Sequence, residues 1–334
     1  MEQLKRIEKW DILKFGLIFL VVFGHVLDTG SADVEWKKAL ILFIYSFHMP
    51  LFIFISGLFS KKNIQQKRYD KIISYLFMYF ITKIVLAAAR VITTGKMSFQ
   101  MLSESGVPWY MFVMFAFSLI TIALKNFSPK YILIFSVVLA CLAGYDTSLT
   151  DTFCLMRVFV FYPFFYLGYC LEEKDVSKFF DNKKLKIASA IVLVIFAFIL
   201  LKKADFLFSL RGLLSGRNAY TKFLDSPDFG GLVRLAYYAV AVIIGAAVIC
   251  ITPNKMFNGR VSRLGKRTIQ VYTLHYFFIY IYTEFIRSRF LPNHSFIAAV
   301  IVSIVITAIC SLRFLEPLFS RLMNPVKSKK TPTE

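Results

Sequence analysis

The chain is a succession of long apolar runs separated by short polar segments, most of which are basic. A helix that crosses the hydrocarbon core of a bilayer needs about 20 mostly apolar residues, and ten stretches approach or reach that length. They lie at about 11–28, 38–59, 71–92, 108–125, 130–146, 153–171, 186–202, 231–251, 267–287 and 295–314. We therefore predict an all-α membrane protein, a bundle of about ten transmembrane helices, with nine or eleven as the neighbouring counts.

Composition supports this interpretation. Hydrophobic residues make up 57% of the 334 residues and charged residues 18%, against about 45–50% and about 25% in soluble domains. These values exclude a disordered chain and argue against a soluble enzyme. The five cysteines lie in or beside apolar runs, without the spacing of disulfides or metal ligands, and we predict no metal site. They are Cys141, Cys154, Cys170, Cys250 and Cys310.

The charge balance of +20 comes from 40 Lys and Arg against 20 Asp and Glu. In a soluble protein this excess would suggest nucleic acid as a partner. Here the basic residues fall mainly between apolar runs, as in the cytoplasmic loops of membrane proteins, and no nucleic-acid-binding motif accompanies them. Placing the N-terminus inside puts 25 basic residues on the inner side and ten outside. We predict a multi-pass plasma-membrane protein with both termini cytoplasmic and no nucleic-acid partner.

The chain shows no internal repeat, and its apolar segments form one continuous domain. We place that transmembrane domain at residues 1–322 and a basic cytoplasmic tail at 323–334. The longest predicted outer loop, about 203–230, contains the polar stretch RGLLSGRNAY. A loop of this length is either a binding element or a disordered connection, and the sequence does not decide between them.

Ionisable residues inside the predicted spans gather toward the outer side. A charged side chain at the bilayer centre costs about 2.5–3.5 kcal/mol on insertion scales, so such residues usually serve a site or a pathway. Counting along the spans places a set of polar residues near the outer ends of their helices: His25, Arg90, Trp109, Arg157, Arg234 and Glu284. We predict a polar vestibule in the outer half of the membrane.

A second polar group lies on the inner side. Asp11 and Lys14 are three residues apart, on one face of the first helix. The basic loop NGRVSRLGKRT precedes the ninth span and carries Arg260, Arg263, Lys266 and Arg267. Guanidinium groups and helix N-termini both bind phosphate, so these residues are candidates for binding a phosphorylated ligand. His48 and His275 lie deeper, between the inner and outer groups.

Each candidate has a structural alternative. Arg90 and Arg234 are equally well explained by snorkelling to the interface, and the basic loop by membrane topology alone. His48 and His275 are explained as well by hydrogen bonds between helices. His25 is different, because it lies in the apolar run LIFLVVFGHVL beside Gly24, which allows another group to approach closely. We predict a functional role for His25.

The spacing Asp11-x-x-Lys14-x10-His25, in the form WDILKFGLIFLVVFGH, resembles the acyltransferase 3 family of integral-membrane O-acyltransferases. Four later segments agree with the family in the same order: FHMPLFIFISG, PWYMFVMF, RVFVFYPFFYLGY and LGKRTIQVYTLH. Together they cover about residues 8–320, and the branch that resembles fucose 4-O-acetylases is the closest. Many members carry Arg where this chain has Lys14, and Lys cannot make a bidentate phosphate contact.

The resemblance implies acyl transfer from a cytoplasmic thioester to a hydroxyl of an extracytoplasmic glycan. Acetyl-CoA is the expected donor, with its phosphates near Lys14 and residues 260–267. His25 is expected to act as a general base or as a transient acyl carrier, and Arg157 or Trp109 to stabilise the oxyanion. The expected partners are membrane lipid, acyl-CoA and a polysaccharide or lipid-linked glycan. Acceptor binding is assigned to Arg90, Arg211, Arg217, Tyr220, Arg234 and Glu284.

A transporter or flippase for a glycan or lipid-linked sugar is the alternative function. Intramembrane cations around a central cavity would also suit that task. Transporters are often built from repeats, and none is visible here. A transporter also needs no histidine base, so loss of His25 would leave its activity intact.

Overall fold

The structure, a computed structural model, describes residues 7–29, 34–97, 99–103, 106–149, 151–290 and 295–324. Nearly all of these residues are helical, and their one extended contact is an isolated antiparallel bridge between Ser103 and Thr152. The predicted tail 323–334 falls largely outside the described residues. Its first two residues, Met323 and Asn324, are described, and the Met323 carbonyl accepts a hydrogen bond from Ser74 Oγ at 3.0 Å.

Fifteen α-helices run through the described residues. Their bounds are α1 Glu8–Asp28, α2 Glu35–Gln65, α3 Tyr69–Thr94, α4 Trp109–Ala123, α5 Pro129–Ala143, α6 Leu155–Cys170, α7 Glu173–Phe179, α8 Lys183–Leu207, α9 Arg211–Leu214, α10 Gly230–Ile251, α11 Arg260–Gly265, α12 Thr268–Ile281, α13 Ser288–Phe290, α14 Phe296–Cys310 and α15 Glu316–Leu322. Short 3₁₀ turns join several of them, and a π-helical turn, Tyr282–Arg287, continues α12.

A helix lies at each of the ten predicted spans, so the all-helical membrane class is confirmed. Five helices of the described residues are long and apolar enough to cross a membrane: α1, α2, α3, α8 and α10. A sixth results if α14 and α15, which are bent by 42° at a short break, are counted together. The helices α4, α5 and α6 have only 15 or 16 residues. The count of ten spans stays a prediction.

The first helix lies at the centre of the bundle. It packs against α2, α11, α12 and α14, and its buried residues point in all directions around the helix, as expected for a helix that is apolar on every side. In contrast, α8 lies at the periphery, where most of its side chains are exposed and only Leu200 and Ala204 are buried. The polar residues of α1 are therefore enclosed by neighbouring helices.

The helices α2 and α6 cross in direct backbone contact. A Cβ atom on Gly57 would overlap the Phe165 carbonyl oxygen, and one on Gly168 would overlap the Phe54 carbonyl oxygen. Small residues at such a crossing let two membrane helices approach backbone to backbone. This crossing brings Arg157 of α6 to the same side of the bundle as the polar residues of α2.

Candidate active site

A cavity of about 450 Å³ opens between the C-terminal half of α1 and the helices α2, α4, α6 and α12. The segment that contains α9 closes a further side of it. Its polar and aromatic lining residues include His25, Asp28, Tyr45, His48, Trp109, Tyr110, Arg157, Arg211, Arg217, Tyr272 and Tyr276. A volume of this size falls within the range of ligand-binding pockets.

His25 forms part of the cavity wall and is surrounded by aromatic rings from α12. Its imidazole stacks on that of His275, with ring centroids 5.6 Å apart. Tyr276 presents its ring at a right angle to His25, at 5.0 Å. The site therefore places the first and ninth predicted spans in direct contact at the histidine.

The other two histidines each bond to a carbonyl of their own helix. His48 Nδ1 lies 2.7 Å from the Ile44 carbonyl oxygen, and His275 Nδ1 lies 2.8 Å from those of Val271 and Tyr272. Since a carbonyl only accepts, Nδ1 carries the proton in both rings, and Nε2 is the basic nitrogen. His275 Nε2 is buried, with no hydrogen-bond partner among the described residues.

Arg157 and Trp109 form one unit of the cavity wall. The Arg157 guanidinium lies 4.8 Å from the centre of the Trp109 indole, and the indole stacks on Phe161 at 5.3 Å. A cation over an aromatic face is attracted by the ring quadrupole. This arrangement fixes a buried positive charge at the cavity wall.

The predicted outer loop 203–230 lies against the cavity. Arg211 Nη2 donates to Asp28 Oδ2 at 2.6 Å. Arg217 makes a bidentate contact with Asp151, with nitrogen–oxygen distances of 2.7 and 2.5 Å. Both arginines line the cavity, and their ion pairs attach the loop to the end of α1 and to the residues before α6.

Tyr220, a residue of this loop, and Arg234 of α10 lie outside the cavity wall. Both are fully buried. The Tyr220 hydroxyl donates to the Cys141 carbonyl at 2.8 Å, and Arg234 Nη1 donates to the Leu213 carbonyl at 3.0 Å while its guanidinium lies 5.6 Å from the Tyr220 ring. They anchor the segment that presents Arg211 and Arg217.

Two further acceptor candidates lie outside the cavity wall. Arg90 Nε donates to the Tyr280 hydroxyl at 3.2 Å, and Tyr280 in turn packs against the cavity residue Tyr276. Glu284 is exposed on the π-helical turn after α12. Arg90 is thus linked to the cavity through two tyrosines, whereas no described contact joins Glu284 to it.

The candidates for binding a phosphorylated ligand also lie close to one another. Lys14 Nζ lies 2.9 Å from Asp11 Oδ1, and a Cβ on Gly265 would overlap the backbone carbonyl of Asp11. The helix α11 therefore crosses α1 at this acid–base pair, which places Arg260, Arg263 and Lys266 close to it on exposed positions.

Arg267, the fourth basic candidate of this loop, is engaged within the protein. Its Nη1 donates to the Ser311 carbonyl at 3.0 Å, and its Nε donates to Glu316 at 3.1 Å. It joins the start of α12 to the segment that follows α14. The other three cations of the loop, Arg260, Arg263 and Lys266, are exposed to solvent.

Sequence reasoning missed Asp28, Tyr45, Asp151 and Tyr276, all of which contact candidate residues. Asp28 carried a usable signal, because an acidic residue three positions after His25 shares its helix face. The others are brought to the cavity only by tertiary packing. Within the described part of the chain, no cluster of three or more His, Cys, Asp or Glu side chains could hold a metal ion.

One family model matches most of the chain, and two curated proteins match about half of it. Residues 7–312 match the acyltransferase domain family Acyl_transf_3. The nodulation protein NolL of Sinorhizobium fredii (strain NBRC 101917 / NGR234) is 28% identical over 182 residues, 49% of this chain and 48% of that protein. Its namesake from Mesorhizobium japonicum (strain LMG 29417 / CECT 9101 / MAFF 303099) is 27% identical over 179 residues, 49% and 47% of the two chains.

The match with these two curated relatives therefore spans about half of their length. No solved structure matches the chain.

Proposed function

The chain belongs to the Acyl_transf_3 acyltransferase domain family, and on that premise we propose that it is a membrane-bound O-acyltransferase. It moves an acetyl group from acetyl-CoA on the cytoplasmic side to a hydroxyl of a polysaccharide or lipid-linked glycan outside the plasma membrane. One observation carries the proposal. His25, Trp109 and Arg157, from three different helices, line a single cavity. Family membership does not favour the transporter alternative.

The proposal includes ten membrane crossings with both termini in the cytoplasm. A helix at each of the ten apolar segments supports the count, and the excess of basic residues on one side supports the orientation. In this topology the cavity opens toward the outer face. Asp11 and Lys14, at the other end of α1, then face the cytoplasm.

Acetyl-CoA binds between these two ends of α1 in the proposed enzyme. Its phosphates lie near Lys14 and the exposed cations Arg260, Arg263 and Lys266, while Asp11 orients Lys14 through their ion pair. The 11 residues from Lys14 to His25 correspond to about 16 Å of helix rise. This separation suits a donor whose charged head stays inside while the acyl group on its long pantetheine arm reaches the cavity.

His25 acts as the general base in the proposed reaction. It takes the proton of the acceptor hydroxyl as the hydroxyl oxygen bonds to the thioester carbonyl carbon. The carbon–sulfur bond of the tetrahedral intermediate then breaks, and the CoA thiolate takes the proton from His25. The products are the O-acetylated glycan and free CoA. A positioned base of this kind contributes typically about 10²–10⁴-fold.

Arg157 and Trp109 stabilise the oxyanion of the tetrahedral intermediate. The guanidinium is already desolvated and fixed against the indole, and preorganised donors in a water-poor site stabilise developing negative charge strongly. Arg211 and Arg217 of the cavity wall contact the acceptor, and Tyr220 and Arg234 hold their loop in place.

The test compares surface polysaccharide from cells that lack the gene with that from complemented cells, by proton NMR. The wild-type gene should restore the O-acetyl methyl signal, whereas a gene encoding His25→Ala should not, although that variant is expressed and inserted normally. Signal from His25→Ala at the wild-type level would move the base to His48 or His275. If single alanine variants of all three histidines restore the signal, the mechanism is wrong.

A further inference from the structure

Asp28 is an ionisable residue of the cavity wall for which the proposed reaction has no use. It is the last residue of α1 and lies one helical turn beyond His25. A carboxylate at a helix C-terminus is unfavourable, because the helix dipole is negative there. Its side chain is nevertheless held at the cavity, where it stays 19% exposed.

Two donors converge on one oxygen of this carboxylate. The Tyr45 hydroxyl donates to Oδ2 at 2.9 Å, and Arg211 Nη2 donates to the same atom at 2.6 Å. No group among the described residues donates to the second oxygen, Oδ1. A carboxylate offers about four lone-pair sites on its two oxygens. Asp28 is therefore oriented through Oδ2 while Oδ1 is available as an acceptor.

The surroundings of Asp28 suit a sugar better than the acyl donor. A sugar presents several neutral hydroxyl donors, and a hydroxyl that donates to a carboxylate makes a short bond roughly twice as strong as a neutral one. The phosphates of acetyl-CoA would be repelled by the same carboxylate. Aromatic rings of Tyr276 and Trp109 line the cavity and offer flat apolar surfaces for a sugar ring.

We propose that Oδ1 of Asp28 binds a hydroxyl of the acceptor sugar adjacent to the one that is acylated, and so places the latter at His25. This inference rests on the proposed function. Residues three apart on a helix have Cβ atoms about 5–6 Å apart, a spacing that two neighbouring hydroxyls of one sugar ring can bridge. The acceptor class is therefore a sugar residue with at least two adjacent hydroxyls.

The test uses the full chain purified in detergent, acetyl-CoA, and surface polysaccharide of the source cells after alkaline removal of O-acetyl groups. Asp28→Asn should raise the KM for polysaccharide about tenfold, the effect of losing one charge-assisted hydrogen bond, and leave the KM for acetyl-CoA unchanged. Asp205→Asn is the matched control. Asp205 pairs with Lys38 at 2.6 Å outside the cavity and is 60% exposed, and its variant should retain both values.

A second comparison separates sugar binding from a purely structural role. Arg211→Gln breaks the same ion pair but leaves the carboxylate in place. If Asp28 contacts the sugar itself, the double variant that combines Asp28→Asn with Arg211→Gln should show a KM for polysaccharide about tenfold above that of Arg211→Gln alone. Equal KM values for polysaccharide in Arg211→Gln and in the double variant would overturn the inference. A rise only in the KM for acetyl-CoA would also overturn it.

Tyr45→Phe provides a test if Asp28→Asn does not fold. If Asp28→Asn lacks a thermal unfolding transition, Tyr45→Phe replaces it, because that variant removes one of the two donors that orient Asp28 while retaining the carboxylate. It should raise the KM for polysaccharide about threefold, as for one net hydrogen bond, and an unchanged value would refute the inference. If His25→Ala is inactive and Asp28→Asn behaves like its control Asp205→Asn, the inference fails and the proposed function stands. If His25→Ala is fully active, the proposed function fails as well.

Discussion

The two ends of α1 carry positive charge in different ways. Around the cavity, each arginine is fixed by a partner: Arg211 by Asp28, Arg217 by Asp151 and Arg157 by the face of Trp109. At the other end, Arg260, Arg263 and Lys266 are exposed and form no ion pair within the described residues. Fixed charges suit the recognition of one geometry, whereas exposed cations attract any polyanion that can approach.

This contrast predicts that Arg157, the buried arginine of the cavity, determines the rate of chemistry and that the inner cations determine donor affinity. A buried group that is fixed by its neighbours loses little entropy when it meets a transition state, so its removal affects kcat. Exposed cations bind ground state and transition state alike, so their removal affects KM.

The largest effect is expected for Arg157→Gln. Removing a donor to the oxyanion should lower kcat about 100-fold and leave the KM for acetyl-CoA unchanged, measured as polysaccharide acetylation by the purified protein. Arg313→Gln, which alters an exposed arginine away from the cavity, should behave as wild type. A change in the KM for acetyl-CoA with normal kcat would assign Arg157 to donor binding instead.

A smaller effect is expected at the inner end. Lys14→Ala and Arg263→Ala should each raise the KM for acetyl-CoA about tenfold or less, because each removes one charge-assisted phosphate contact. S-acetyl-pantetheine, which lacks the phosphates, should be used equally well by these variants and by wild type. Lys125→Ala, a variant of an exposed lysine after α4, serves as the control.

Comparing acetyl-CoA with S-acetyl-pantetheine distinguishes phosphate binding by Lys14 and Arg263 from a structural role. If Lys14→Ala and Arg263→Ala lose activity equally toward acetyl-CoA and S-acetyl-pantetheine, the cations do not bind phosphate, and their effect is structural. If neither variant changes either KM, the donor enters elsewhere.

The helices could be predicted from sequence because the bilayer sets a minimum apolar length, and each of the ten runs contains a helix. The position of a residue along its apolar run also predicts its depth in the membrane. The sequence did not show toward which neighbouring elements each residue points. Arg157 and Arg234 have the same predicted depth, yet Arg157 lines the cavity and Arg234 is fully buried behind Tyr220.

Contacts between distant segments were equally hidden. The stacking of His25 on His275 joins residues 250 positions apart, and no local pattern specifies it. The outer loop is a similar case, because its length allowed either a binding element or a disordered connection. The ion pairs of Arg211 and Arg217 with acids outside the loop hold it at the cavity.

The smallest effect is expected where a fixed charge is also exposed. Arg217 pairs with Asp151, but the Arg217 side chain is 40% exposed, and exposed ion pairs contribute at most about 1 kcal/mol. Arg217→Gln should therefore raise the KM for polysaccharide by about threefold and leave kcat and the KM for acetyl-CoA unchanged. Asp151→Asn should give the same change, and the double variant should be no worse than either single variant, because Arg217 contacts the acceptor only while Asp151 holds it in place. A decrease in kcat comparable to that of Arg157→Gln would show instead that Arg217 contacts the reacting groups, and the contrast between fixed and exposed charge would then fail within the cavity itself.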